Sequence, residues 1–169
     1  MKISNVEVDP PTKECIAVNQ DEKWKCMFAE YNHFFITVPL FAIQSPYDSW
    51  SLRYILGLFC ENGGSLAGCS SEHLAYTEDY HTNTTKVLKA ISTSRPKNGF
   101  WAPSCSNHVY STWNGLYDAA YRIPANSVNS LMQGINEWDQ GLPVSYEHMD
   151  DGNWPINRPC SGLKSLETE

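Results

Sequence analysis

The chain has 169 residues and a net charge of −7, with 41% apolar, 12% aromatic and 18% charged residues. That is enough large apolar side chain to bury a core, and it is not the composition of a disordered chain. No apolar run reaches the roughly 18 residues of a membrane-spanning helix, and an acidic balance without a basic stripe argues against nucleic acid or an anionic membrane as partner.

Residues 1–23 are polar, carry the pair Pro10-Pro11 and show no periodicity. They read as an N-terminal arm or loop, without the apolar core of about 7–15 residues that a signal peptide needs. In residues 24–36, Trp24, Met27, Phe28, Tyr31, Phe34 and Phe35 recur at helical spacing and predict an amphipathic helix. The short apolar run from Val38 to Ser45 predicts a strand covered on both faces, as in a parallel sheet. It ends in the turn Pro46–Trp50, where Asp48 is placed to cap a helix over Ser49–Leu58.

Residues 60–82 look irregular, with Gly63-Gly64 and a patch of Glu, His and Asp. Val87, Leu88 and Ile91 give an apolar stripe to a helix over 84–94, and Lys97-Asn98-Gly99 makes a turn. Gly99–Cys105 is a second strand candidate leading into Ser106-Asn107-His108. Ser127, Leu131, Ile135 and Trp138 share related faces of a helix over 124–139, and the tail from Gly141 is polar. Strands alternating with helices give an α/β fold, whose sites lie at the carboxyl edge of the sheet. Two strands cannot shelter both of their faces, so the chain reads as part of a larger domain.

Six cysteines stand at 15, 26, 60, 69, 105 and 160, with no Cys-x-x-Cys pair. Cys15/Cys26 and Cys60/Cys69 flank polar loops, a spacing that suits loop-closing disulfides of about 2–4 kcal/mol each. That would leave Cys105 and Cys160 to pair, but this is one of about 15 connectivities open to six cysteines. Asn83-Thr84-Thr85 is a glycosylation sequon, which with the cysteines points to an oxidising, secreted setting.

Asp48 follows one buried strand and His108 follows another about 60 residues later. A carboxylate and then a histidine on post-strand loops fit the chain order of α/β-hydrolases, in which the acid fixes the imidazole tautomer and the imidazole moves the proton. Two other chemistries compete. Glu72, His73, Glu78, Asp79 and His81 crowd together, but His73 and His81 suit no i, i+4 pair, so the patch reads as a solvated acidic loop and no metal is expected. Trp101, Trp113, Tyr117 and Tyr121 could form a non-catalytic sugar-binding surface, although such aromatics more often belong to a core or a site wall.

The stretch Thr37–Trp50, with Pro39-Leu40-Phe41 and Tyr47-Asp48-Ser49-Trp50, resembles a signature of the pectin acetylesterases that the Notum carboxylesterases share. Gly99–His108 resembles the segment of that family that bears its catalytic histidine. Cys15 to Tyr31 and Trp154 to Cys160 are similar to its cysteine-bounded regions. The resemblance implies an α/β-hydrolase-like parallel sheet flanked by helices and a Ser-Asp-His triad that removes acyl groups from a polysaccharide or similar ester. Asp48 would be its acid, His108 its base and Trp50 a pocket wall.

It also implies a secreted protein, here a monomer, with no cofactor. The sequence departs from the family at the nucleophile. No Gly-x-Ser-x-Gly elbow precedes Asp48, and Gly68-Cys69-Ser70-Ser71 lies after the acid, with no apolar strand before it. The chain therefore reads as the C-terminal part of such an enzyme. Residues 1–23 form an arm and residues 24–169 part of one hydrolase-like domain, close to inactive alone; a non-catalytic carbohydrate-binding protein or an inactive remnant of the family is the alternative.

Overall fold

A computed structural model describes residues 12–62, 65–108, 122–123, 129–150 and 152–153. The chain divides into two compact units, one ending at Pro39 and the other beginning at Leu40.

In the first unit, helix α1 (Thr12–Val18) occupies part of the expected arm, and Cys15 is joined to Cys26 by a disulfide. Asn19 closes α1 by donating its side-chain amide to the Cys15 carbonyl at 3.0 Å. The continuous helix expected over 24–36 is instead three short pieces: a 3-10 turn at Lys23–Met27, α2 (Ala29–Asn32) and a 3-10 turn at His33–Phe35. Phe28, with extended backbone angles of −110° and 134°, breaks the run where the disulfide ties Cys26 back to α1. The aromatic residues then serve local contacts. Trp24 meets Phe28 and Tyr31 edge-on, each at 6.0 Å, under the Lys25 ammonium.

The second unit is α/β. Strands β1 (Phe41–Ile43), β2 (Gly99–Ala102) and β3 (Glu147–Met149) form a parallel sheet in that order, joined by crossovers that contain α3 (Ser71–Ser94) and α4 (Leu131–Asp139). The first two strands lie inside the runs expected for them and are shorter. β3 was not expected, and it gives β2 a neighbour on each side. Strand alternation sorts the core. Trp101 packs with Leu131 and Ile123, against Phe41, Ile43 and Ile135, on the side of α4. Phe100 and Ala102 pack with Leu88 of α3, against Ala42 and Met149, on the other.

Helix α3 overturns the irregular reading of residues 71–82, and the helix expected over 84–94 is only its second half. Ser70 caps it by accepting the His73 amide at 3.3 Å. Its inward stripe there uses Thr77 and His81 where an apolar residue is usual. The expected helix after Asp48 is a single helical turn that becomes π-helical over Ser51–Ile55. Its Leu52 packs with Tyr47, Leu58 and Leu66 beside Leu74 and Tyr80 of α3. The Cys60–Cys69 disulfide is present and closes the loop that carries Leu66. Cys105 is also disulfide-bonded, while Cys160 lies outside the described residues. Among the described residues no helix is long and apolar enough to cross a membrane.

Gly99 opens β2 in close contact with Phe41 of β1 and with Tyr146, just before β3. A Cβ there would lie 2.5 Å from Tyr146 Cβ, 2.6 Å from the Tyr146 carbonyl oxygen and 3.1 Å from Phe41. The Tyr146 Cβ and carbonyl are fixed to the backbone just before β3 and cannot swing away, so that segment must shift, while the Phe41 ring has to give by less. Gly99→Ala is expected to cost about 1–3 kcal/mol, the scale of core overpacking. An unaltered urea midpoint in the variant would show that the sheet accommodates the methyl.

Candidate active site

The carboxyl ends of β1 and β2 bring Asp48 and His108 together. His108 Nδ1 lies 2.8 Å from Asp48 Oδ2. The Asp48 side chain is 2% exposed and that of His108 47%, so a buried carboxylate holds one edge of a ring that reaches solvent. A carboxylate only accepts, so the proton between them sits on Nδ1, and the neutral ring keeps its lone pair on Nε2.

Two readings of Asp48 were open in the sequence, helix cap and partner of a histidine, and its two oxygens divide them. Oδ1 accepts the Ser51 amide at 2.6 Å, as a cap does, while Oδ2 takes His108. Trp50 stacks on the His108 ring at 5.4 Å between centroids and an interplanar angle of 25°. It is not a core residue of its helical turn, since nearly half of it is exposed.

Residues that the sequence did not mark set this geometry. Gln44 donates from Nε2 to Asp48 Oδ2 at 3.1 Å. Buried Ser45 donates to the Cys105 carbonyl at 2.6 Å and accepts the Tyr47 amide at 2.9 Å, which ties the loop bearing the acid to the loop bearing the histidine. Behind them, Tyr47 donates to Glu78 of α3 at 2.7 Å and stacks on His81 at 4.8 Å. The Tyr80 hydroxyl hydrogen-bonds Ser51. Burial raises its pKa first and foremost, the bonds to Ser51 and Thr84 oppose that rise, and the Asp48 charge adds to it. The only sequence signal for Gln44 is a polar residue ending an apolar run, which is common at strand ends.

The other candidates separate. Ser70 is the cap of α3. His73 and His81 share one helix two turns apart, and His81 faces inward against Tyr47. No group of three potential metal ligands occurs among the described residues. Trp101 is fully buried against α4, in line with the core reading of these aromatics and against the rival sugar-binding surface at this position. Trp113, Tyr117 and Tyr121 lie outside the described residues. Asn83 is exposed on α3.

Two histidines away from the pair make folding sensitive to acid. Burial lowers the pKa of His81, against the opposing charge of Glu78, and burial likewise lowers that of His148, against Glu137. Below the ordinary value of 6.5 the unfolded chain takes up protons at these positions before the folded one does. Their contribution is therefore complete above about pH 6.5 and is lost as the pH falls from there toward the depressed folded values. The urea midpoint is expected to fall between pH 7.5 and 5.5, and to fall less in His81→Asn/His148→Gln. Equal slopes for the two proteins would remove these histidines as the cause.

Comparison with known proteins supplies the context for this edge of the sheet. Residues 1–161 match the family described as Pectinacetylesterase. The chain is 20% identical over 152 residues to Pectin acetylesterase 7 of Arabidopsis thaliana, an alignment that covers 83% of this chain and 37% of that protein. The chain thus spans well under half the length of this relative. No solved structure matches it significantly. With the family match running from residue 1 to residue 161 of 169, the chain belongs to the pectinacetylesterase family.

Proposed function

We propose that this chain supplies the acid and the histidine of a carboxylic ester hydrolase with an α/β-hydrolase-like fold, acting on acyl groups of a polysaccharide. The supporting observation is the 2.8 Å contact between His108 Nδ1 and buried Asp48. With that proton held on Nδ1, Nε2 takes the proton of an attacking hydroxyl as the oxygen adds to the ester carbonyl. When the tetrahedral adduct collapses, the same proton passes from Nε2 to the departing alkoxide. Asp48 balances the imidazolium formed in between, and Trp50, stacked on the ring, flanks the acyl ester.

In the complete reaction the hydroxyl is a serine on a nucleophile elbow, and this sequence has no such elbow before Asp48. In this reading the serine comes from polypeptide outside the given residues, and residues 24–169 are one part of a single domain that works as a monomer. The family name and the name of the Arabidopsis relative favour acetyl groups on pectin. The disulfides and the exposed sequon at Asn83 fit an extracellular setting.

Hydrolysis of p-nitrophenyl acetate tests the pair in the chain as it stands. An imidazole with a free Nε2 activates water or takes the acetyl group itself, so slow hydrolysis above the buffer rate is expected, and it should require His108. A buffer-level rate in the unaltered protein, or a rate indifferent to His108→Ala and Asp48→Asn, would overturn the reading.

A further inference from the structure

We infer that Gln44 is a positioning residue of this site, the side chain that fixes the plane in which the Asp48 carboxylate meets His108. The inference rests on the proposed role of the Asp48–His108 pair and adds to it a residue that neither the family match nor the sequence marks.

The amide orientation of Gln44 follows from its neighbours. Its Nε2 lies 3.1 Å from the Ser45 carbonyl oxygen and 3.1 Å from Asp48 Oδ2. Both partners only accept, so the amide must present its two N–H groups to them, and a flipped amide would set oxygen against oxygen at both contacts. Its backbone is held as well, because the Gln44 amide donates to the Trp101 carbonyl at 3.1 Å and so extends the pairing of β1 with β2. Gln44 therefore projects from a fixed point of the sheet onto a fixed oxygen.

The donors around Asp48 divide the work. The Ser51 amide holds Oδ1, while Gln44 and His108 share Oδ2. One donor on Oδ1 leaves the carboxylate free to tilt about the bond that carries it. A second donor on Oδ2, coming from β1 instead of the helical turn, removes that freedom. The result is a carboxylate preset to receive Nδ1–H, and hence an imidazole whose Nε2 stays unprotonated when neutral.

Gln44→Met removes both N–H groups while keeping the length and bulk of the side chain, and Gln44→Ala removes the bulk too. Two quantities are read: the His108-dependent hydrolysis of p-nitrophenyl acetate, and the tautomer of His108 from long-range 1H–15N spectra at pH 8. The unaltered protein is expected to show the Nδ1–H tautomer. Both variants are expected to lose about tenfold in rate, the worth of one charge-assisted hydrogen bond, and to show a mixture of tautomers, with Gln44→Met unfolding at an unchanged urea midpoint.

Gln44→Met with full rate and a pure Nδ1–H tautomer would overturn the role of Gln44 and leave the pair intact. An Nε2–H tautomer in the unaltered protein would instead overturn the pair, and the role of Gln44 with it. A loss seen only in Gln44→Ala would mean that bulk, and not the donor, matters, and would equally reject the inference.

Discussion

Asp48→Asn is expected to lower the hydrolysis of p-nitrophenyl acetate nearly as far as His108→Ala does, although it changes one atom of a buried side chain. His108→Ala removes the proposed base outright and should bring the slow hydrolysis down to the buffer rate. The asparagine acts through hydrogen-bond direction. The Ser51 amide, 2.6 Å from Oδ1, needs an acceptor and will keep the asparagine oxygen on its side. The NH2 group then falls where Oδ2 was, facing both His108 Nδ1 and the donating amide of Gln44. A donor opposite Nδ1 favours the Nε2–H tautomer, which has no lone pair for the incoming proton.

The cap survives in this variant, so the urea midpoint should fall only by the cost of the unpaired Gln44 donor, about 1–3 kcal/mol, whereas Asp48→Ala should also lose the cap, worth about 1 kcal/mol. His73→Ala, on the surface of α3, should leave the rate alone. Asp48→Asn with an undiminished rate would mean that His108 works without its carboxylate.

The parts of this molecule legible in the sequence are those in which hydrophobicity and chain order act locally. β1 and β2 are visible because a strand covered on both faces must be apolar throughout, and Asp48 and His108 are visible because each follows such a strand. The first half of α3 is illegible for a definite reason. Its buried positions include Thr77 and His81, which bury through a bond from the Thr77 hydroxyl to the His73 carbonyl and through stacking of His81 on Tyr47. A count of apolar periods finds no stripe there.

Glu147–Met149 is too short and too polar to announce a strand, and it pairs because β2 offers it a register. The helix expected over 24–36 fails in the opposite sense. Its periodicity is present, but the tie from Cys26 to Cys15 and the extended Phe28 turn the chain before one face can be buried. Gln44 and Ser45 are silent because their partners, Asp48 and Cys105, are fixed only by the fold.

Trp101→Ala is the substitution expected to cost the most stability. The side chain is fully buried on the central strand and packs among Cys105, Ile123 and Leu131. Its ring also lies 4.7 Å from His148 of β3. Helix α4 is shaped around it. A Cβ on Gly134 would stand 2.9 Å from the indole, so this helix accepts a glycine, at about 1 kcal/mol of helix propensity, to let the ring in. Truncating a buried tryptophan costs about 3–5 kcal/mol, because the rigid surroundings do not collapse into the space.

Domains are stable by only about 5–15 kcal/mol in total, so the variant should sit near its unfolding transition at room temperature. The damage should also reach the site, because the Trp101 carbonyl accepts the Gln44 amide and β2 runs on toward His108. Tyr54→Ala, on the exposed side of the helical turn, serves as the control and should move the urea midpoint by no more than about 0.5 kcal/mol. A Trp101→Ala protein that unfolds within about 1 kcal/mol of the original would mean that α4 does not pack on the sheet as described.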